Sequence, residues 1–114
     1  MEDNGYSADQ INVIDLRQKS FVEALLEIEK RPWMWLERSN ITCLKSFTNG
    51  WIVGRNEEAD ELLLADFDRF VVNEFSEGSS TLGWCALIMK HCGEEDPLTL
   101  FYAFFHKYME RQSR

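Results

Sequence analysis

The sequence predicts an all-α protein, a compact single-domain bundle of about five helices without a substantial sheet. Three observations lead there. Apolar residues recur at three- and four-residue intervals in five separate stretches. Most of those stretches open on residues that cap helices or close at glycine or before proline. With 114 residues, 45% of them hydrophobic, the chain can bury one core and is too short for two domains.

Residues 1–114 therefore read as one helical domain, with residues 1–16 as a loosely ordered N-terminal segment. Within it Ile11, Val13, Ile14 and Leu16 make a brief apolar patch that fits either an extended run against the core or the start of the first helix. From Ser20 the pattern is regular. Ser20 and Glu23 have the spacing of a capping box, and Phe21, Ala24, Leu25 and Ile28 share one face, with Glu23, Glu27 and Lys30 turned outward. Pro32 ends this helix, because proline lacks an N–H and disfavours the helical conformation at Arg31.

The stretch 31–55 is the joint around which the rest is organised. Trp33, Met34, Trp35 and Leu36 form an apolar knot too irregular for a helix face and too short for a strand. Ser39 or Asn40 then caps a second helix carrying Ile41, Leu44, Phe47 and Trp51 on one side, with Gly54 as its end. Gly50, which costs about 1 kcal/mol against alanine inside a helix, suggests that a neighbouring helix comes close there.

A third helix is expected over residues 59–75. At about 100° per residue, Leu63, Phe67, Phe70 and Val71 gather on one side, and Glu58, Glu61, Ala65, Asp68 and Val72 on the other. Residues 76–81 are a turn-rich break. A fourth, nearly all-apolar helix over residues 82–92 (Trp84, Cys85, Leu87, Ile88, Met89) should be buried on most sides and end at Gly93. The last helix has Asp96 as N-cap and Pro97 at its first position, with a core stripe of Leu98, Phe101, Phe104, Phe105, Tyr108 and Met109.

The net charge is −8, from 20 acids and 12 bases. Such a chain repels nucleic acid and speeds encounter with a basic protein. The N-terminus has no basic region followed by an apolar run, and no stretch approaches the roughly 18 apolar residues of a membrane span, so a cytoplasmic protein is expected. The three cysteines, Cys43, Cys85 and Cys92, fall in apolar helical patterns and are expected to be reduced. Catalytic equipment is sparse. His91 and His106 lie on different helices without metal-site spacing, and adjacent His91 and Cys92 point about 100° apart. Cys85 and Cys92 share a face but lack further zinc ligands. No cofactor, metal or enzymatic activity is expected.

Two groups remain as candidate partner-binding residues. The acids Glu57, Glu58, Asp60, Glu61, Asp66 and Asp68 are either a solvated helix surface or a contact for a basic protein, with Asp66 and Arg69 spaced to pair. Trp33 and Trp35 are either core plugs or aromatic anchors of the kind enriched at interface hot spots. Glu94, Glu95 and Asp96 form a second acidic cluster.

Arg31-Pro32-x-Met34-Trp35-Leu36, followed by Ser39-x-Ile41-x-x-Leu44-x-x-Phe47-x-x-Gly50-Trp51, resembles a signature of small bacterial immunity proteins, including those of contact-dependent growth inhibition. Phe67-x-x-Phe70-Val71, Gly83-Trp84 and Pro97-Leu98-x-x-Phe101-x-x-Phe104-Phe105 extend the resemblance over most of residues 20–111. Trp33 and Glu37 depart from it, standing where small residues are commoner. The resemblance implies an inhibitor that plugs a cognate toxin, with an EndoU-type or other ribonuclease domain as the first expectation. A small acidic adaptor or regulatory subunit of an endogenous complex is the alternative.

Overall fold

The computed structural model describes residues 16–76 and 82–113. Its elements are a 3-10 turn, Leu16–Gln18, and six α-helices: α1 (Phe21–Lys30), α2 (Pro32–Trp35), α3 (Ile41–Arg55), α4 (Glu58–Glu74), α5 (Trp84–His91) and α6 (Pro97–Gln112). Among the described residues there is no strand. The apolar patch at 11–14 and most of the 76–81 break lie outside the described residues.

Local chemistry sets most of the boundaries. The Ser20 hydroxyl accepts from the Glu23 N–H at 3.1 Å, and Glu23 Oε1 accepts from the Ser20 N–H at 2.9 Å, completing the capping box. Arg31 closes α1 and opens α2. The tryptophan knot is thus a single helical turn with Pro32 at its first position, ending where the Leu36 N–H bonds the Pro32 carbonyl at 2.9 Å. A one-turn helix is too short to show a period, which is why it reads as irregular.

Asn40, rather than Ser39, caps α3 by accepting from the Cys43 N–H at 2.9 Å. The helix passes through Gly54 to Arg55 and is closed by Asn56 in the left-handed region (φ 53°, ψ 45°), which asparagine tolerates better than most residues. A Cβ on Gly50 would meet nothing within 4 Å, so no helix makes the close approach that the glycine suggests. Asp96 caps α6 through the Thr99 N–H at 2.9 Å, and Gly93 (φ 61°) turns the chain between α5 and α6.

The core centres on α5, which packs on α3, α4 and α6. Trp84, Cys85, Leu87 and Ile88 are buried, whereas Met89, expected inside, is 48% exposed. Eight residues make barely two turns, and one flank of so short a helix stays open. Phe67 is the aromatic hub. Its ring lies 5.5 Å from Phe101, 5.6 Å from Tyr108, 6.0 Å from Phe105 and 6.2 Å from Trp84, all edge-to-face, the arrangement the ring quadrupoles favour.

α1 is tied to α6 by Tyr102, whose hydroxyl donates to the Leu25 carbonyl at 2.7 Å; burial and the nearby Glu29 charge push its pKa up. Tyr102 is buried although it falls outside the expected stripe of α6. α6 lies against several helices at once, so its apolar arc is wider than one stripe. Glu27, expected outside, is only 8% exposed and lies 2.6 Å from the Arg31 guanidinium. The ion pair lets a carboxylate sit under the α1–α2 bend.

Candidate protein-binding surface

The corner between α3 and α4 holds the acids. Asn56 reverses the chain, and Glu57, Glu58, Asp60 and Glu61 follow within one and a half turns. Carboxylates there are favoured by the positive end of the helix dipole. The structure then sorts the six acids of the candidate group into two kinds.

Three are engaged within the chain. Asp60 Oδ2 accepts from the Trp51 indole N–H at 3.0 Å, pinning the start of α4 to the end of α3. Asp66 pairs with Arg69 at 2.9 Å and accepts from the Tyr108 hydroxyl at 2.9 Å. That bond and burial push the Tyr108 phenol up to about 12, with burial the larger cause. Asp68 does not stand on the outer face. Its Oδ1 accepts from the Trp84 backbone N–H at 2.7 Å, so it caps α5 from across the bundle, where the N-cap Gly83 has no side chain to do so. Burial raises the Asp68 pKa, with the Trp84 bond and the Lys45 charge opposing.

The other three, Glu57, Glu58 and Glu61, are exposed and make no ion pair among the described residues. The basic side chains of α4 and α6 are committed elsewhere. Lys107 and Arg111 both reach Glu74, at 2.6 and 3.5 Å. Arg55 lies over the Trp51 ring at 4.4 Å and donates to the Arg17 and Lys19 carbonyls. The corner therefore presents three exposed carboxylates without an ion pair among the described residues, with the Arg55 guanidinium over Trp51 at its α3 side.

The two candidate tryptophans part company. Trp33 is 70% exposed and Met34 beside it 51% exposed, so this end of α2 projects an apolar knob. Trp35 is half-buried against the core, its indole N–H out of contact with water and without a hydrogen-bond partner. α2 sits before the start of α3 and the acids follow its end. α3, 15 residues and about 20 Å long, lies between them in the chain.

Elsewhere Glu94 and Glu95 are exposed and, like the three corner glutamates, make no ion pair among the described residues, whereas the polar groups of the α1–α6 cleft are satisfied locally. A cleft of about 540 Å³ between α1 and α6 contains Glu29 and Asp96, yet Glu29 faces His106 Nε2 at 2.8 and 3.0 Å and Asp96 caps α6. Asp96 in the second acidic cluster is thereby structural. His91 stacks on Phe75, with ring centres 4.4 Å apart. Among the described residues no three His, Cys, Asp or Glu side chains are placed to hold a metal, and no helix is long and apolar enough to cross a membrane. The three cysteines are free thiols, and burial raises the pKa of Cys85.

Sequence alone marked the acids as a group. It could not separate the inward ones, since a carboxylate's partner lies 9 to 42 residues away in Asp60–Trp51, Asp68–Trp84 and Asp66–Tyr108. Comparison of the chain with protein-family models, with curated proteins and with solved structures finds no match.

Proposed function

We propose that this protein is a cytoplasmic immunity protein that binds a cognate bacterial toxin, a basic ribonuclease domain, and neutralises it by occupying its substrate cleft without any bond-making of its own. The observation that carries this reading is the corner of three exposed carboxylates, Glu57, Glu58 and Glu61, which make no ion pair among the described residues, on a chain of net charge −8. Their positions suit them to stand in for the phosphates a ribonuclease cleft attracts. Charge complementarity of this kind gives fast capture, up to about 10⁸ M⁻¹s⁻¹ at low salt against about 10⁵–10⁶ for neutral surfaces. Slow release needs apolar anchoring as well, for which the exposed Trp33 is suited. The resemblance of the Arg31–Trp51 stretch to immunity proteins supports the same conclusion.

An immunity gene is expected to follow its toxin gene, so the test is whether the product of the gene immediately upstream is a toxin domain that this protein binds and protects against. Cells making that domain should survive only when this protein is present, and the purified pair should form a one-to-one complex without ribonuclease activity. Failure to bind or protect would remove the reading, and stable capture of a host complex instead would favour an adaptor.

A further inference from the structure

Beside the acidic corner runs a groove of about 510 Å³ between α4 and α6, with Ala59, Leu62, Leu63 and Met109 among the residues lining it. Leu62 is 62% exposed, an unusual placement for a leucine on a helix whose Phe67, Phe70 and Val71 are buried. Glu58 is one turn before Leu62 on the same face, so an exposed carboxylate stands beside the Leu62 edge of an apolar depression, while Glu57 and Glu61 point away from it around the helix. At the other end of the groove the Asp66–Arg69 pair and Tyr108 form a satisfied polar wall.

We infer that this groove receives an apolar side chain of the basic protein partner, on a segment where a lysine or arginine flanks that side chain and meets Glu58. The inference rests on the functional reading above and adds to it a specific occupant. Charge selects that occupant. A second copy of this chain, itself of net charge −8, would bring acid against acid at Glu58. The chain's own residues 1–15 contain Glu2, Asp3, Asp9 and Asp15 and no lysine or arginine, which sets like charge against the rim. A cation-flanked apolar side chain satisfies both parts of the surface, with the charges acting on approach and the groove on residence.

Kinetic binding to the purified product of the gene immediately upstream, the expected toxin, across a salt series, tests this. Leu62→Ala should raise Kd about 10- to 100-fold, the value of burying one leucine, almost wholly through koff and with melting temperature unchanged. Glu57→Gln, Glu58→Gln and Glu61→Gln together should lower kon and flatten its salt dependence. If Leu62→Ala and Leu62→Glu both bind as the wild type does while the triple glutamine variant weakens, the groove is empty in the complex and this inference falls, leaving the functional reading intact. If the wild type itself fails to bind the domain, both fall. A wild-type dimer that Leu62→Glu dissociates would give the groove to a second copy. Destabilisation by Ile14→Asp that is non-additive with Leu62→Glu would give it to the N-terminal segment, and either result overturns the inference.

Discussion

Replacing Asp68 by alanine removes the oxygen that accepts from the Trp84 N–H at 2.7 Å and leaves the first turn of α5 without its cap. Losing an N-cap costs about 0.5–2 kcal/mol, and an orphaned buried donor about 1–3 kcal/mol. With Asp68 half-buried and Trp84 in the core, we expect about 1–2 kcal/mol, or roughly 4–8 °C in melting temperature for a domain of this size. Asparagine keeps a carbonyl acceptor and removes the charge, and burial, which raises the Asp68 pKa, makes that charge unfavourable. Asp68→Asn should therefore match or exceed the wild type at neutral pH.

The pH dependence has a fixed sign. With its folded pKa above the unfolded one, native Asp68 binds more protons between those two values. The wild type then loses stability as pH rises through that window, while the asparagine variant does not. The advantage of asparagine should grow from the ordinary carboxylate range upward and level off above the raised pKa. Urea unfolding followed by tryptophan fluorescence from pH 3 to 8 measures it. If asparagine costs as much as alanine, the charge itself is stabilising and the argument fails. If alanine costs nothing, Asp68 is not the cap. Neither variant should weaken binding of the proposed toxin beyond its effect on folding, because the carboxylate is turned into the bundle.

Further expectations separate surface from core. Glu57→Lys, Glu58→Lys and Glu61→Lys together should slow toxin association by about 10- to 1000-fold at low salt, measured by stopped-flow mixing, while far-UV circular dichroism stays unchanged. Trp33→Ala, at a site 70% exposed, should leave the urea midpoint within about 0.5 kcal/mol of wild type and shorten complex lifetime in a dissociation assay. Phe67→Ala empties the aromatic hub and should cost about 3–5 kcal/mol, a large share of the roughly 5–15 kcal/mol typical of a domain, read as a lower urea midpoint with weakened near-UV circular dichroism. With a thiol reagent at pH 8, the half-buried Cys43 and Cys92 should react ahead of Cys85, which is buried and whose raised pKa leaves less thiolate; equal rates for all three would contradict that burial.

The capping box at Ser20 and Glu23, the Asp96-Pro97 start of α6, the halt before Pro32 and the turn at Gly93 were legible in the sequence, because each depends on residues within four positions of one another. So was the Asp66–Arg69 pair. Less legible were residues whose environment depends on which helix arrives. Glu27 looks solvated by period and is buried beneath Arg31. Tyr102 lies off the expected stripe and is held inside by Leu25, 77 positions away. Met89 sits in an apolar run and faces out.

By itself the sequence determined that this chain is helical, where its principal helices begin and end, and that it carries a surplus of negative charge, since caps, periods and composition act locally or as sums. Only the tertiary structure decided which carboxylates are spent on the fold and which stay open. Asp60, Asp66 and Asp68 face donors brought by other helices, whereas Glu57, Glu58 and Glu61 meet none among the described residues, and a side chain's charge says nothing about what will be folded against it.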